Sequence, residues 1–348
     1  MQKFFPIPVS SIGNHAPLTT GSSPLLWKLL LLLGLCPLGL AGQNAAPPVT
    51  ADTVLTGIQL MNVYELNLNA HSFNADFYLW FKWRGDKDPM NIEFVNAIDK
   101  WSFTQNNFYE EAITLPDGYF YNGMRIEGRF YHPFELGRFP LDEHQLDIQI
   151  ENVDFPLDSL RYVVAPGATF IRRNLQLPGW NMGGLTTEHS TTTYPTNLGE
   201  NPGQEMAYSN FIFRLSIARP LNYFLLKLLL PLLIVIVVSL GALYIHPSHA
   251  DARISLPIGS LLAAIFLQQS YSAALPDVGY MVLMDKIYLV AFAVIAAVMW
   301  RVILASNHLT TLKKQADVPA IRRLDARLAM FFLVVLFLVL GGLVQWNR

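Results

Sequence analysis

Asp251-Ala-Arg253-Ile-Ser255-Leu-Pro257-Ile-Gly259-Ser260-Leu-Leu262-Ala-Ala-Ile-Phe266-Leu-Gln268-Gln269-Ser270-Tyr271-Ser272-Ala273-Ala-Leu275-Pro276 is apolar enough to sit in a bilayer, yet polar groups recur along it. Ser255, Gly259, Leu262, Phe266, Gln269 and Ala273 are separated by steps of 4, 3, 4, 3 and 4 residues, so on a helix they share one face. That face runs from small and polar, through bulky and apolar, to polar again. Lipid has no use for such a stripe. A helix lining water does, and an apolar ring within a wet pore gates it by dewetting. An interior helix of a membrane bundle, with Ser and Gln bonding its neighbours, is the other reading of the same residues.

Outward from this stretch the chain divides by composition. Its 348 residues are 52% hydrophobic and 14% charged, with a net charge of −2, so nothing points to nucleic acid. Three more apolar runs, 221–244, 281–304 and 328–346, join 254–275 as spans long enough to cross a bilayer. Between the last two, Arg301 to Arg327 holds six Lys or Arg and two Asp, which the positive-inside rule places in the cytoplasm as a loop over 305–327. Counting back puts everything before the first span, and the C-terminus, outside. Tyr223, Trp300 and Trp346 fall near span ends, as interfacial aromatics do.

The N-terminus agrees with that topology. A long leader, Lys28, an apolar run Leu29–Leu40 and then Ala41-Gly42 predict a signal peptide over 1–42, with an uncleaved anchor as the alternative. Residues 43–51 read as a linker. From Asp52 to Arg219 the pattern is β: Phe73, Phe77, Leu79, Phe81 and Trp83 share one face of a strand. His144-Gln-Leu146-Asp-Ile148-Gln-Ile150 and Phe211-Ile-Phe213-Arg-Leu215-Ser-Ile217 alternate in the same way, and Pro116-Asp117-Gly118 makes a turn. This predicts an antiparallel β-sandwich over 52–219, followed by a four-helix membrane domain over 220–348. Leu185 to Gln204, rich in Thr, Gly and Pro, reads as a long exposed loop. Between Val49 and Pro220 there are 12 Lys and Arg against 21 Asp and Glu, an acidic domain that would gather cations or simply stay soluble.

Enzymatic readings find little. No Walker loop, dinucleotide glycine fingerprint, Gly-x-Ser-x-Gly or His-Glu-x-x-His is present. Glu110-Glu111 and Asp142-Glu143 are sequence neighbours that point to opposite faces of a strand. Cys36, in the leader, is the only cysteine, so no disulfide, zinc site or thiol nucleophile is possible beyond it. His246 and His249 read as a solvated loop before a metal site, and no cofactor is expected. His132, His144 and His189 are surface or hydrogen-bonded histidines, or sensors of protons near neutrality.

With the topology in place, several short motifs carry a family resemblance. Phe139-Pro140-Leu141-Asp142-x-x-Gln145, Ile217-Ala218-Arg219 entering the first span, Pro231 within it, and Arg253 followed 22 residues later by Leu275 and Pro276 occur in the order seen in the pentameric ligand-gated ion channels, the Cys-loop receptor superfamily. The chain resembles the bacterial form, which lacks the flanking disulfide, over roughly Asp52 to Trp346.

The resemblance implies a homopentamer in the bacterial inner membrane, lined by Asp251, Ser255, Gly259, Leu262, Phe266, Gln269 and Ala273. Leu262 and Phe266 take the gate, and Asp251, at the cytoplasmic mouth, selects for monovalent cations. Phe139, Pro140, Asp142 and Arg219 couple the sandwich to the pore. The ligand-binding candidates are Tyr109, Phe155, Trp180, Tyr194 and Tyr208, with Tyr119 and Tyr121 from the facing subunit; aromatic faces of this kind hold cations, and each ring could equally be core. The agonist, a small molecule or a proton, is not named by the residues.

The chain also departs from the family. Pro257 lies inside the second span, and Leu68 replaces an acid that partners the junction arginine in a proton-gated relative, so the Asp142–Arg219 pair lacks its third member. Trp101-Ser-Phe-Thr lacks the family's proline. A nonconducting membrane sensor is the alternative reading; it explains the sandwich and the topology but not the polar stripe.

Overall fold

The computed structural model of the chain describes residues 51–196, 203, 205–312 and 318–346. The expected signal peptide, and the linker up to residue 50, lie outside the described residues.

Residues 52–218 form two facing sheets. The larger has the order β4-β7-β2-β1-β9, with β5 and β6 also paired to β7; the smaller has the order β10-β11-β8-β3. In the larger sheet β1 is Asp52–Asn67, β2 Ser72–Trp83, β4 Ala97–Ile98, β5 Thr104–Asn107, β6 Ile113–Thr114, β7 Phe120–Tyr131 and β9 Leu160–Ile171. In the smaller, β3 is Ile92–Phe94, β8 Glu143–Asn152, β10 Asn181–Tyr194 and β11 Met206–Ala218.

The alternation read in β2 is what builds this layer. Phe73, Ala75, Phe77, Leu79, Phe81 and Trp83 are buried on its inner face. Phe77 meets Phe213 of the opposite sheet at 5.1 Å, edge to face, and Phe94 at 6.0 Å, so one aromatic cluster joins the two sheets.

Two details differ from expectation. The sandwich is antiparallel except for one pair: β9 returns alongside β1 in parallel, from Asp52↔Leu160 to Leu60↔Ile171. The long loop expected from Leu185 begins only after Tyr194, because β10 pairs with β11 through Tyr194↔Met206. Its Thr186, Thr187 and Thr191 to Thr193 are β-branched and suit a pleated edge strand with a wet outer face, where polarity alone suggested a loop.

Four helices long and apolar enough to cross a membrane follow. The first opens with a π-helical stretch, Tyr223–Leu229, that runs into α1, Leu230–Gly241. Pro231 supplies the cause. It has no N–H to return to Lys227, and the wider turn ahead of it absorbs the missing α-type bond. Next come α2, Ala250–Ser272, α3, Leu283–Leu312, and α4, Val318–Trp346. The expected loop at 305–327 is therefore largely helix, leaving 313–317 between α3 and α4. Hydropathy marks the part of a helix that lies in lipid. Ala, Leu and Arg continue the helix beyond that boundary at little cost.

Candidate functional site

All seven residues of the polar stripe are exposed on α2: Asp251, Ser255, Gly259, Leu262, Phe266, Gln269 and Ala273. The opposite face is buried by Arg253, Pro257, Ser260, Ala264 and Tyr271, against α1 and α3. Leu262 and Phe266, the large apolar side chains of the stripe, are 54% and 64% exposed. Asp251 sits in the first turn of α2, where the helix dipole favours a carboxylate. Ser255 turns its hydroxyl inward to donate to the Ala252 carbonyl at 3.1 Å, so its polarity is partly spent on the helix itself. Pro257 lies on the buried face, and helix continues on both sides of it.

At the sheet-proximal end of the bundle Asp142 and Arg219 meet. The guanidinium donates from Nε to Oδ1 at 2.8 Å and from its terminal nitrogen to Oδ2 at 2.9 Å, a two-pronged pair in which Asp142 is 1% exposed. The Arg219 N–H also donates to the Asp142 carbonyl at 3.1 Å. Three rings surround the guanidinium: Trp180 at 4.3 Å, Phe139 at 4.8 Å and Tyr223 at 5.8 Å. A histidine joins the pair on the aspartate's side. His144 Nε2 lies 3.0 Å from Asp142 Oδ2, and both side chains are buried. Burial pushes the Asp142 carboxyl up, but hydrogen bonds from His144 and Arg219, with the guanidinium charge, outweigh it and hold the pKa at about 2. An ionised carboxylate only accepts, so His144 carries its proton on Nε2.

Around this pair lie further histidines. His132 packs edge-on against His144 at 5.6 Å and against Phe134 at 4.7 Å. Its Nε2 and His71 Nδ1 are buried without a partner among the described residues. Burial first, then neighbouring His144 and His71, push the His132 pKa down to about 4.

The same junction grips α3. The first-turn amides of Leu283 and Met284 donate to the carbonyls of Gly137 and Phe139 at 3.0 and 3.2 Å, and the Leu136 amide donates to the Tyr280 hydroxyl at 3.0 Å. Orphan donors of a helix N-terminus are thus satisfied by the loop that carries Phe139, Pro140 and Asp142. Asp285 takes the Val282 amide at 3.1 Å and also the hydroxyl of Tyr271.

A second buried ionic centre holds the other end of the bundle. Asp325 of α4, 0% exposed, accepts from Arg253 of α2 at 2.5 Å and lies 2.8 Å from Arg301 of α3. Arg253 Nε donates to the Ala242 carbonyl just past α1 at 3.0 Å, so all four helices converge here. In the sequence Arg253 marks only a spacing and Asp325 only a loop acid. The available signal was an isolated Asp among Arg residues on a helix bound for the bilayer.

The aromatic candidates separate into five places. Tyr194 and Tyr208 meet at 5.9 Å, edge to face, across the β10–β11 hairpin. The Tyr194 hydroxyl donates to Glu151 Oε2 at 2.9 Å, while Glu151 Oε1 is buried without a hydrogen-bond partner among the described residues. Burial, and then Glu151, push the Tyr194 hydroxyl pKa up to about 12. Phe155 packs against the core and holds its backbone to Asn152. Glu151 was not a sequence candidate; it breaks the alternation of β8 and pairs with Glu93 across the sheet.

Tyr109 meets Tyr121 at 6.4 Å within one subunit, on a loop seated by Phe108, whose ring occupies the space a side chain on Gly123 would need. Tyr109 and Tyr121, expected on facing subunits, thus belong to one patch of a single subunit. Tyr119 lies apart, under the Arg84 guanidinium at 4.1 Å. Trp180 corrects a second expectation. It stacks on Arg219 and meets His144 at 5.6 Å, which makes it part of the junction and removes it from the hairpin pair. Trp101 stands 87% exposed, while Phe103, two residues on, turns inward against Phe94 and Phe130.

No family model matches the chain. Among curated proteins it is similar to a proton-gated ion channel of Gloeobacter violaceus, 24% identical over 294 residues that cover 75% of this chain and 78% of that one. It is also similar to the glycine receptor subunit beta of Rattus norvegicus and of Homo sapiens. Each is 24% identical over 210 residues, 60% of this chain, and the match spans only 40% of that subunit's length. Neither name is that of an enzyme.

Proposed function

We propose that the chain is a pentameric ligand-gated ion channel of the Cys-loop superfamily, like the channels it is similar to, and that five identical copies form a cation channel opened by a signal on the β-sandwich. One observation carries this reading: the polar stripe, with Leu262 and Phe266 at its centre, lies on the exposed side of α2, together with Ile258 and Ile265, while the opposite face is packed. A single such helix cannot enclose water; a closed ring of them can. Asp251 makes a ring of carboxylates at one mouth, which favours cations, and Leu262 and Phe266 make apolar rings that exclude water when narrow. In this reading the sandwich lies outside the bacterial inner membrane and the α3–α4 connection lies inside, as the positive-inside rule requires.

The agonist site is the hairpin pair Tyr194 and Tyr208, completed by Glu151. Two ring faces and a buried carboxylate oxygen without a partner among the described residues suit a small organic cation. The proton-gated relative makes pH the other stimulus to apply.

Current recorded from oocytes across a pH series and a panel of small amines tests the function. Stimulus-dependent current that reverses near the cation equilibrium potential is expected. Absence of current under every condition, with normal surface expression, would favour a nonconducting sensor.

A further inference from the structure

We propose that Tyr271 is a coupling residue with two separable parts: its ring carries displacement of the 136–141 loop into α2, and its hydroxyl, held by Asp285, fixes the resting position of α2 against α3. This inference rests on the channel reading. Tyr271 lies on the buried face of α2, in its last turn and one residue before the helix ends, opposite the polar stripe. Its ring is close to parallel with Phe139 of the loop, at 6.3 Å and 18°, and with Tyr288 of α3, at 5.3 Å and 22°. Phe139 in turn lies beneath the Arg219 guanidinium. One row, Arg219–Phe139–Tyr271–Tyr288, therefore runs from the last strand through the loop and α2 into α3.

Asp285 makes the row directional. One oxygen takes the Tyr271 hydroxyl, and the other takes the Val282 amide at the start of α3. The loop carbonyls of Gly137 and Phe139 occupy the next two amides. The first turn of α3 is thus shared between the loop and the carboxylate that holds α2. Stacked rings tolerate small offsets at little cost, whereas a hydrogen bond to a carboxylate is strong and directional. The stack transmits; the hydroxyl resists.

The two parts come apart by substitution. Tyr271→Phe keeps the ring and loses the bond, so activation should shift to a stimulus about tenfold weaker, with raised resting current and unchanged agonist affinity of the sandwich. Asp285→Asn should move activation in the same direction, and the double variant should add little. Tyr271→Leu also loses the stack and should lower the maximal response. Hydrogen exchange of the 268–274 amides in the full-length protein reads the same bond without relying on conduction. In Tyr271→Phe it should quicken about tenfold in that turn and nowhere else. An activation curve and an exchange rate both equal to wild type would overturn the proposal, as would faster exchange throughout the bundle, which marks a merely structural role. If the wild type carries no current, the channel reading fails while the exchange result still decides whether the hydroxyl holds α2.

Discussion

The two ends of the helical bundle are each held by a buried aspartate and arginine, and they are built differently. Asp142 sits on a loop, meets one arginine and one histidine, and is walled by Trp180, Phe139 and Tyr223. Asp325 sits on a helix and is met by Arg253 and Arg301 from two others, with a carbonyl past the fourth closing the set. Rings and a loop can be displaced a little without breaking the ion pair between them. Three helices locked on one carboxylate cannot. The comparison casts α2 as anchored at Arg253 and adjustable at Tyr271, with Leu262 and Phe266 between, so that in the proposed pentamer a small tilt at the sheet-proximal end would widen the apolar rings.

The largest effect is expected at the anchor. Asp325→Ala leaves two arginines buried and unpaired, a loss of about 3–5 kcal/mol that should prevent assembly. Size-exclusion profiles in detergent should show loss of the assembled species. Asp142→Ala strands one arginine that is partly relieved by ring faces, so it should cost less, roughly 2–3 kcal/mol, and leave an assembled protein that opens poorly. Arg219→Ala should behave alike, and the double variant should lose less than the sum. Equal costs at Asp142 and Asp325 would remove the distinction between anchor and coupling.

Acid separates groups within the coupling end. His132, with a folded pKa of about 4 against 6.5 when free, stays neutral in the fold while the unfolded chain takes up a proton. Stability should therefore fall as pH drops from 6.5 to 4, and His132→Gln should flatten that slope. Asp142, held at about 2 against 3.8, contributes stability that is present above pH 4 and lost as pH falls through 2. Thermal unfolding across pH should resolve the two windows. A slope at pH 4–6.5 that persists in His132→Gln would assign it elsewhere.

Smallest in stability, but not in function, are changes on the stripe. Leu262→Ser, Phe266→Ser and Asp251→Ala alter exposed positions and should leave stability within about 0.5 kcal/mol. Leu262→Ser and Phe266→Ser should raise resting current, Phe266→Ser the less. Asp251→Ala should move the reversal potential in a salt gradient away from the cation limit, and an unmoved potential would place selectivity elsewhere.

What the sequence made legible was periodic. Alternation in β2 and the 4-3-4 spacing of α2 are local patterns, and the apolar residues of β2 are buried and the stripe of α2 exposed as those patterns predict. Partners drawn from distant segments were not legible. Asp325 comes beside Arg253 only when α4 packs on α3 and α3 on α2, and nothing within either helix signals it. Trp180 resembled any other aromatic candidate until β10 brought it over Arg219. The Thr run of β10 misled because outward-facing polarity is common to loops and edge strands, and only the pairing with β11 distinguishes them. Helix ends past the apolar spans were hidden for a related reason, since hydropathy measures lipid contact and not backbone bonding.

Cysteine substitution along α2 addresses the water-lined stripe most directly. Cys36 is the only native cysteine, so a Cys36→Ser background is free of other thiols. Single cysteines at Ser255, Gly259, Leu262, Phe266 and Gln269, and at the buried Ser260 and Ala264, would be exposed to a charged methanethiosulfonate reagent during current recording. The account predicts that modification blocks current at the first five positions and leaves Ser260 and Ala264 unaffected. Block at Ser260 and Ala264 with none on the stripe would contradict it.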